Sequence, residues 1–451
     1  MSVRPTYIFK RSLREVRSLA RLAMPLISGL VLSTGLMLVD TLMLGPLGAV
    51  PLAVVSLTSS VMIIFWAALY GFAGPVGLFV GRAFGAADAN RIGHVVRHGF
   101  VLAALGGCAA ALVMCALLLA LPWLGQPAEV LANVAPYWLC MAASLVPFTL
   151  AMVAKNALDA TNQAWTAVAL SVLPVGLNAA LNWVLIYGNL GAPALGLLGA
   201  GIASLAAQTF AALLLAAYVR LAPGLAGWWL KARWCKTEMK RQWREALPMT
   251  LQYFMEGSAV AVAGVLIGLF GTTALAGNQI TLSVGTTLYM LPLGVAGAVT
   301  IRIAQVVGAR GYRRAAPIGY AGLGVVTLWM GLMAFIFIYS GADIARLFVK
   351  DEAVIAAAAS IFFVFGLMQL VDGVQSVSLG ALRGLLDNTW PTRVSIMAYW
   401  GIALPLAGVM GFGLNWGAPG VWGGFAAGLA FAAVALLRRF NKLSASRLPC
   451  L

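Results

Sequence analysis

The stretch MPLISGLVLSTGLMLVDTLMLGPLG (residues 24–48) decides how this chain is read. Its apolar run meets the roughly 20 residues that a helix needs to cross the hydrocarbon core of a bilayer. Inside it stands a carboxylate, Asp40, with no basic residue beside it. An ionisable group at membrane depth is costly, so its default reading is a site that binds or moves a cation or a proton. Two later apolar runs repeat the pattern, with Glu256 and Asp372.

Composition carries this reading to the whole chain. Of 451 residues, 62% are hydrophobic and 9% charged, against about 25% charged in soluble domains. The expected fold class is therefore an all-α polytopic membrane protein. Apolar runs near 22–44, 52–78, 96–121, 133–154, 166–188 and 197–219 predict six helices, and runs near 246–270, 274–300, 316–340, 354–380, 393–413 and 419–437 predict six more. This divides the chain into a leader (1–21), a first six-helix lobe (22–219), a basic link (220–245), a second lobe (246–438) and a tail (439–451).

The net charge of +16 is placed unevenly. Leader, tail with the adjoining Arg438, and the loops near 82–97, 155–165, 220–245, 302–314 and 381–393 hold every Lys and Arg except Arg346 and Lys350. With an even number of spans these segments share one side, which the bias towards cytoplasmic Lys and Arg makes the cytoplasm. Both termini are then cytoplasmic, and the positive charge marks topology and not a nucleic-acid partner. Within the link, Trp228, Trp229, Lys231, Arg233 and Trp234 suit an interfacial anchor on anionic lipid. The 5 cysteines are odd in number and lack CxxC spacing, which predicts neither a disulfide framework nor a zinc site.

An internal repeat organises the twelve spans. Sliding the chain by 223 residues aligns Arg21 with Arg244, Pro25 with Pro248, Gly48 with Gly271, Gly71 with Gly294 and Gly99 with Gly322. Further on, 224 aligns Leu158 with Leu382 and Gly196 with Gly420. Six helices per half make the repeats parallel, related by a pseudo-twofold along the membrane normal, a transporter architecture with its path between the halves. The acids do not follow the repeat: Asp40 pairs with Ala263, Glu256 with Ser33, and Asp372 with Phe148 or Thr149. A scaffold residue should recur in both halves, so these acids read as functional specialisations of each lobe.

Around Asp40, oxygen ligands are available from Asn178 and Asn182, which lie four apart on one helical face, and from Ser204. Hard oxygens of this kind suit Na⁺ or proton chemistry. In the second lobe Glu256 and Asp372, with Gln369 and Gln375 flanking the latter at helical spacing, form a second candidate site for coupling ion or cationic substrate. His94 and His98 are four apart at a cytoplasmic helix start and read as a solvated pair, and Lys155 with Asp159 as a surface ion pair. No nucleotide loop, zinc motif or nucleophile elbow is present, so the expected protein is not an enzyme and needs no cofactor beyond a coupling ion, Na⁺ or H⁺.

Taken with GRAFGAAD, LNAALNWVLIYG, GLLGAGIAS, ALPMTLQYFMEG, RIAQVVGAR and LVDGVQSVSLGALRGLLDNTWP, the opening stretch resembles the MATE (multidrug and toxic compound extrusion) transporters, nearest their NorM-like bacterial branch. The resemblance runs in order along essentially the whole chain. It implies two six-helix lobes in a V, in a bacterial inner membrane, and a monomer exporting organic cations against H⁺ or Na⁺. Asp40 matches the family's first-helix acid, Asn178 and Asn182 its fifth-helix polar pair, and Ser204 a position held elsewhere by Thr. Glu256 and Asp372 match second-lobe acids. Asn278 stands where a His is common, and Met368 where some members have an aromatic, which leaves the ion preference of that site open. The alternatives are a flippase for lipid-linked oligosaccharide, whose anionic cargo would want basic residues in the spans, a major-facilitator-type carrier, and a membrane-embedded enzyme built on His94 and His98.

Overall fold

The structure, a computed structural model, describes residues 5–124, 127–221 and 234–445, with the side chains of 5–11, 33–42, 49 and 124 excepted. Among them are twelve long helices. They are α1 (Pro5–Leu44), α2 (Ala49–Gly85), α3 (Ala89–Ala120), α4 (Ala128–Ala160), α5 (Ala164–Tyr187) and α6 (Leu197–Leu221). Then come α7 (Lys236–Gly268), α8 (Thr272–Gly308), α9 (Ala315–Arg346), α10 (Glu352–Gly384), α11 (Thr389–Gly413) and α12 (Gly417–Ala445). Eleven of these, α2 to α12, are long and apolar enough to cross a membrane.

Two boundaries differ from the sequence expectation. The leader is no separate segment from residue 5 onward but the opening turns of α1, and α7 begins at Lys236, inside the expected link. Basic and polar residues at these helix starts hide the helical pattern from a reading based on apolar length. The tryptophan and basic cluster at 228–233 lies outside the described residues.

The chain divides into two compact units. One comprises residues 28–250. At its centre α4 lies against α2, α3, α5 and α6. Its core gathers Leu44, Met62, Met114, Trp138 and Leu145, all fully buried. Burial of the Trp138 indole demands a partner for its N–H, which donates to the Met114 carbonyl at 2.8 Å.

The other unit comprises residues 1–27 and 251–451. Here α10 is central, against α8, α9 and α12, and an aromatic core of Phe337, Phe362, Phe365, Trp422 and Phe425 fills the space between them. The start of α1 is tied into this unit by Glu15, 7% exposed, whose carboxylate meets Arg314 through Nε at 3.2 Å and Arg302 through Nε at 3.7 Å.

The repeat seen in sequence is written into the backbone. α2 and α8 each have 37 residues, and α4 and α10 each have 33. The residue before α2, Gly48, has φ +106°, and its repeat mate before α8, Gly271, has φ +105°. Only glycine holds that conformation without strain. Four helices end in the same left-handed residue, Ala87 and Arg310 at offset 223 and Asn162 and Leu386 at offset 224.

Each of these four turns closes with a paired C-terminal cap. For Ala87, its N–H donates to Phe84 and the next N–H, of Asp88, donates to Ala83 at 2.9 Å. Three of the four residues are neither Gly nor Asn and carry a left-handed cost of roughly 1–2 kcal/mol. Ala87 is exposed and has no packing to lose. Ala87→Gly is therefore expected to stabilise by about 0.5–1 kcal/mol after glycine's greater freedom in the unfolded chain is subtracted. A higher midpoint of thermal unfolding in detergent checks this, and a lower one contradicts it.

Candidate ion and substrate sites

In the unit holding the C-terminal helices, α7, α8, α10 and α11 bring two acids and three hydroxyls together. Asp372 and Ser376 are four residues apart on α10, hence one above the other on a single face. Tyr289 of α8 reaches both: its hydroxyl donates to Asp372 Oδ1 at 3.0 Å and hydrogen-bonds Ser376 Oγ. Tyr399 of α11 lies beside Glu256 on α7 and Gln375 on α10. It is buried, and it sits in a widened π-helical stretch, Met397–Ala403. Such insertions recur at functional sites because they re-aim side chains.

The charge of Glu256 is felt at Asp372. Both are half-buried and so keep access to space outside the packed core. Two neighbouring carboxylates in a low-dielectric interior repel, and a proton or bound cation relieves the repulsion. The cluster can therefore exchange its neutralising partner, which is what ion coupling requires.

In the other unit the expected amide pair is present. Asn178 and Asn182 are fully buried and Ser204 is 5% exposed. Asn178 Nδ2 donates to Ser204 Oγ at 3.3 Å across the crossing of α5 and α6, and Asn182 Nδ2 donates to Asn178 Oδ1 at 3.2 Å. Asp40 lies on α1, but its side chain falls outside the described residues. Asn178→Ala removes a partner from both Asn182 and Ser204 and is expected to cost about 1 kcal/mol, as interhelical bonds of this kind do in membranes. Thermal unfolding of the purified variant measures it, and an unchanged midpoint would show the network idle.

Superposing the repeat explains the asymmetry of the acids. The mates of Tyr289 and Asp372 are Trp66 (offset 223) and Phe148 (offset 224), and these also touch, as tilted rings 6.1 Å apart. One inter-helix contact is thus a hydroxyl–carboxylate bond in one unit and an aromatic contact in the other. The converse holds at α11 and α12. The starts of α5 and α11, Ala164 and Thr389, differ by 225, so Asn178 and Asn182 pair with Ala403 and Ala407, and Ser204 pairs with Gly428 at offset 224. A Cβ built on Gly428 would lie 2.7 Å from Ala403 Cβ, so this crossing is closed and apolar. Each unit keeps one polar helix crossing where its repeat has an apolar one.

Several expectations are corrected. Asn278 is not free to face a bound ion with its Oδ1, which accepts from Trp422 Nε1 at 2.9 Å beside the aromatic core. Gln369 is 3% exposed, and its Oε1 has no hydrogen-bond partner among the described residues. His98 is no solvated residue but fully buried, its Nδ1 bonding the His94 carbonyl at 2.7 Å and its Nε2 accepting from the Cys235 N–H at 2.9 Å. It pins the chain just before α7 onto α3. Lys155 and Asp159 do pair, at 2.7 Å, but inward, with Asp159 3% exposed. Arg383, assigned by sequence to a cytoplasmic loop, forms part of the last turn of α10 and is 8% exposed.

The residues missed by sequence reading are Tyr289, Ser376, Tyr399 and Arg383. Among the described residues no group of three or more His, Cys, Asp or Glu side chains could hold a metal ion.

Membrane-crossing helices in two repeats, with the carboxylate of Asp372 held by a hydroxyl of a neighbouring helix, define a secondary transporter. The MatE family model matches residues 25–184 and 248–409. A probable multidrug resistance protein NorM of Pseudomonas aeruginosa is 32% identical over 446 residues, covering 97% of this chain and 91% of the relative. Its counterpart in Rhizobium meliloti is 33% identical, covering 94% and 92%. The multidrug resistance protein NorM of Burkholderia vietnamiensis is 30% identical, covering 96% and 95%.

Among solved structures, the eukaryotic MATE transporter AtDTX14 aligns with TM-score 0.86 at 20% identity, over 96% of this chain and 98% of its own. An outward-facing multidrug resistance MATE family transporter aligns with TM-score 0.83 at 19% identity, over 96% and 97%. The chain belongs to the MatE family, and its fold is the MATE fold. It is a transporter and not an enzyme.

Proposed function

We propose that this protein is a secondary active multidrug antiporter of the bacterial inner membrane, exporting organic cations in exchange for H⁺ or Na⁺ by alternating access. The observation that carries the reading is the pair of half-buried carboxylates, Glu256 on α7 and Asp372 on α10, with the Tyr289 hydroxyl of α8 donating to Asp372. An acid-lined site attracts a cationic drug and a coupling ion alike, and the two compete for it. Each ligand then shifts the balance between access states by its differential affinity. Asp40 with Asn178, Asn182 and Ser204 forms the coupling site of the first lobe in this reading, and Glu256, Asp372 and Gln369, with Asn278, that of the second. Both termini are cytoplasmic, and the protein works as a monomer.

The flippase alternative fits less well, because its anionic cargo would meet two carboxylates. The test is ethidium efflux from proteoliposomes under an imposed pH gradient and then under an imposed Na⁺ gradient. Transport driven by either gradient supports the antiporter and names its ion. Transport driven by neither rejects the reading.

A further inference from the structure

Arg383 occupies the last turn of α10 with its guanidinium folded back onto α7. Nη1 donates to the Tyr253 hydroxyl at 2.8 Å and Nη2 to Gln252 Oε1 at 3.2 Å, while Nε finds no acceptor among the described residues. No carboxylate of the described residues lies within ion-pair distance, although Arg383 is 8% exposed. A buried cation held by two neutral acceptors and the face of the Tyr253 ring, 4.8 Å from its centroid, with one donor unspent, still lacks a counter-charge. One turn along α7 from Gln252 stands Glu256, whose carboxylate already feels the charge of Arg383.

The other repeat keeps a cation at the matching place by a different route. The mate of Gln252 at offset 223 is Gly29, and a Cβ there would lie 3.5 Å from Lys155 Cε. Yet Lys155 is the mate of Leu379, and the mate of Arg383 at offset 224 is Asp159, the residue that neutralises Lys155 at 2.7 Å. Position, not sequence, is what recurs: a cation beside the helix that bears each lobe's first acid. Of the two, only Arg383 lacks a bound counter-ion among the described residues.

We propose that Arg383 is a resident counter-cation of the second-lobe site, taking the Glu256 carboxylate when the drug or coupling ion leaves and yielding it when either returns. The inference rests on Glu256 being a ligand of the transported cation. Its consequence is that every arriving cation competes with Arg383, so that release is built into the site. The groups around the exchange are Tyr253 and Gln252 on the Arg383 side, and Tyr399 and Asp372 on the Glu256 side.

The test is ethidium binding to the purified protein in nanodiscs, by fluorescence anisotropy, from mildly acidic to mildly alkaline pH. R383Q is expected to bind ethidium at least about tenfold more tightly than wild type at alkaline pH, the scale of a lost charge competitor. Its pH profile should flatten while gradient-driven efflux slows. R383K should restore most of the profile. Y253F, which loosens the neutral hold on Arg383 and is too mild to unfold the protein, should weaken ethidium binding.

The double variant E256Q/R383Q should bind no more tightly than E256Q. Wild-type affinity and pH profile in both R383Q and Y253F, with only a lower unfolding midpoint, would make Arg383 a packing residue and overturn the inference. If instead E256Q itself transports and binds as wild type, the proposed site falls and not merely the role of Arg383.

Discussion

Asp372→Asn and Glu256→Gln each reduce gradient-driven ethidium efflux by about 100-fold or more, while the protein inserts and elutes from size exclusion as wild type. The size follows from what is removed. A carboxylate that holds a cation in a partly desolvated site contributes roughly 3–5 kcal/mol, and every 1.4 kcal/mol is a factor of ten. The fold should survive because the amides keep the shape of the acids. In Asp372→Asn the new side-chain carbonyl can still accept from the Tyr289 hydroxyl, which donates to Asp372 at 3.0 Å.

Tyr289→Phe offers a graded version. It leaves both carboxylates in place but removes the hydrogen bond that orients Asp372, so efflux is expected to fall by about tenfold, the scale of one hydrogen bond to a charged group. Efflux at wild-type rate in Asp372→Asn would take Asp372 out of the transport cycle, whatever Glu256 does.

The second large effect is on folding, at Gly424. A Cβ there would overlap the Ala407 nitrogen and lie 2.6 Å from Ala407 Cα and 2.8 Å from the Ala403 oxygen. These are backbone atoms of α11, so no side-chain rotation relieves the overlap and the two helices must part. Gly424→Ala is expected to cost about 3 kcal/mol or more, at the upper end for overpacking, and to remove most of the folded, monodisperse fraction after detergent extraction. Gly264→Ala is the control: the same change within α7, with nothing inside 4 Å of the new methyl. It should be neutral or stabilising by up to about 1 kcal/mol, the helix-propensity gain of Ala over Gly. Equal yields from the two variants would show that the α11–α12 crossing tolerates separation.

The fold was legible because a bilayer simplifies the code. Chain in hydrocarbon must satisfy its backbone within each span, so apolar length alone located twelve helices, and glycines such as Gly48 and Gly271 carried the repeat register. The ends of α1 and α7 were not legible, since their first turns are polar and basic and carry no apolar length signal. The acids were legible for the opposite reason, as groups too costly to occur without cause. Their partners were not: Tyr289 and Tyr399 are ordinary residues of membrane helices until a carboxylate is found beside them. Arg383 and His98 were misplaced by one error. The bias of basic residues towards the cytoplasmic side locates them along the membrane normal but says nothing about whether they turn outward to water or inward to a neighbouring helix.

The split of polar crossings between the repeats bears on how such a chain can arise. A half-length protein pairing with an identical copy would have to make every substitution twice, because a symmetric interface repeats each residue. Asp372 would then come with a carboxylate at the position of Phe148, and Asn178 with an amide at that of Ala403. Joining the two copies in one gene lifts that constraint. After the fusion each half can drift alone, and a buried polar group tolerable once need not be tolerated twice. A dimer rebuilt from two copies of either half would lack the other's polar crossing, so the present chain has no route back to its symmetric form without losing one of its sites.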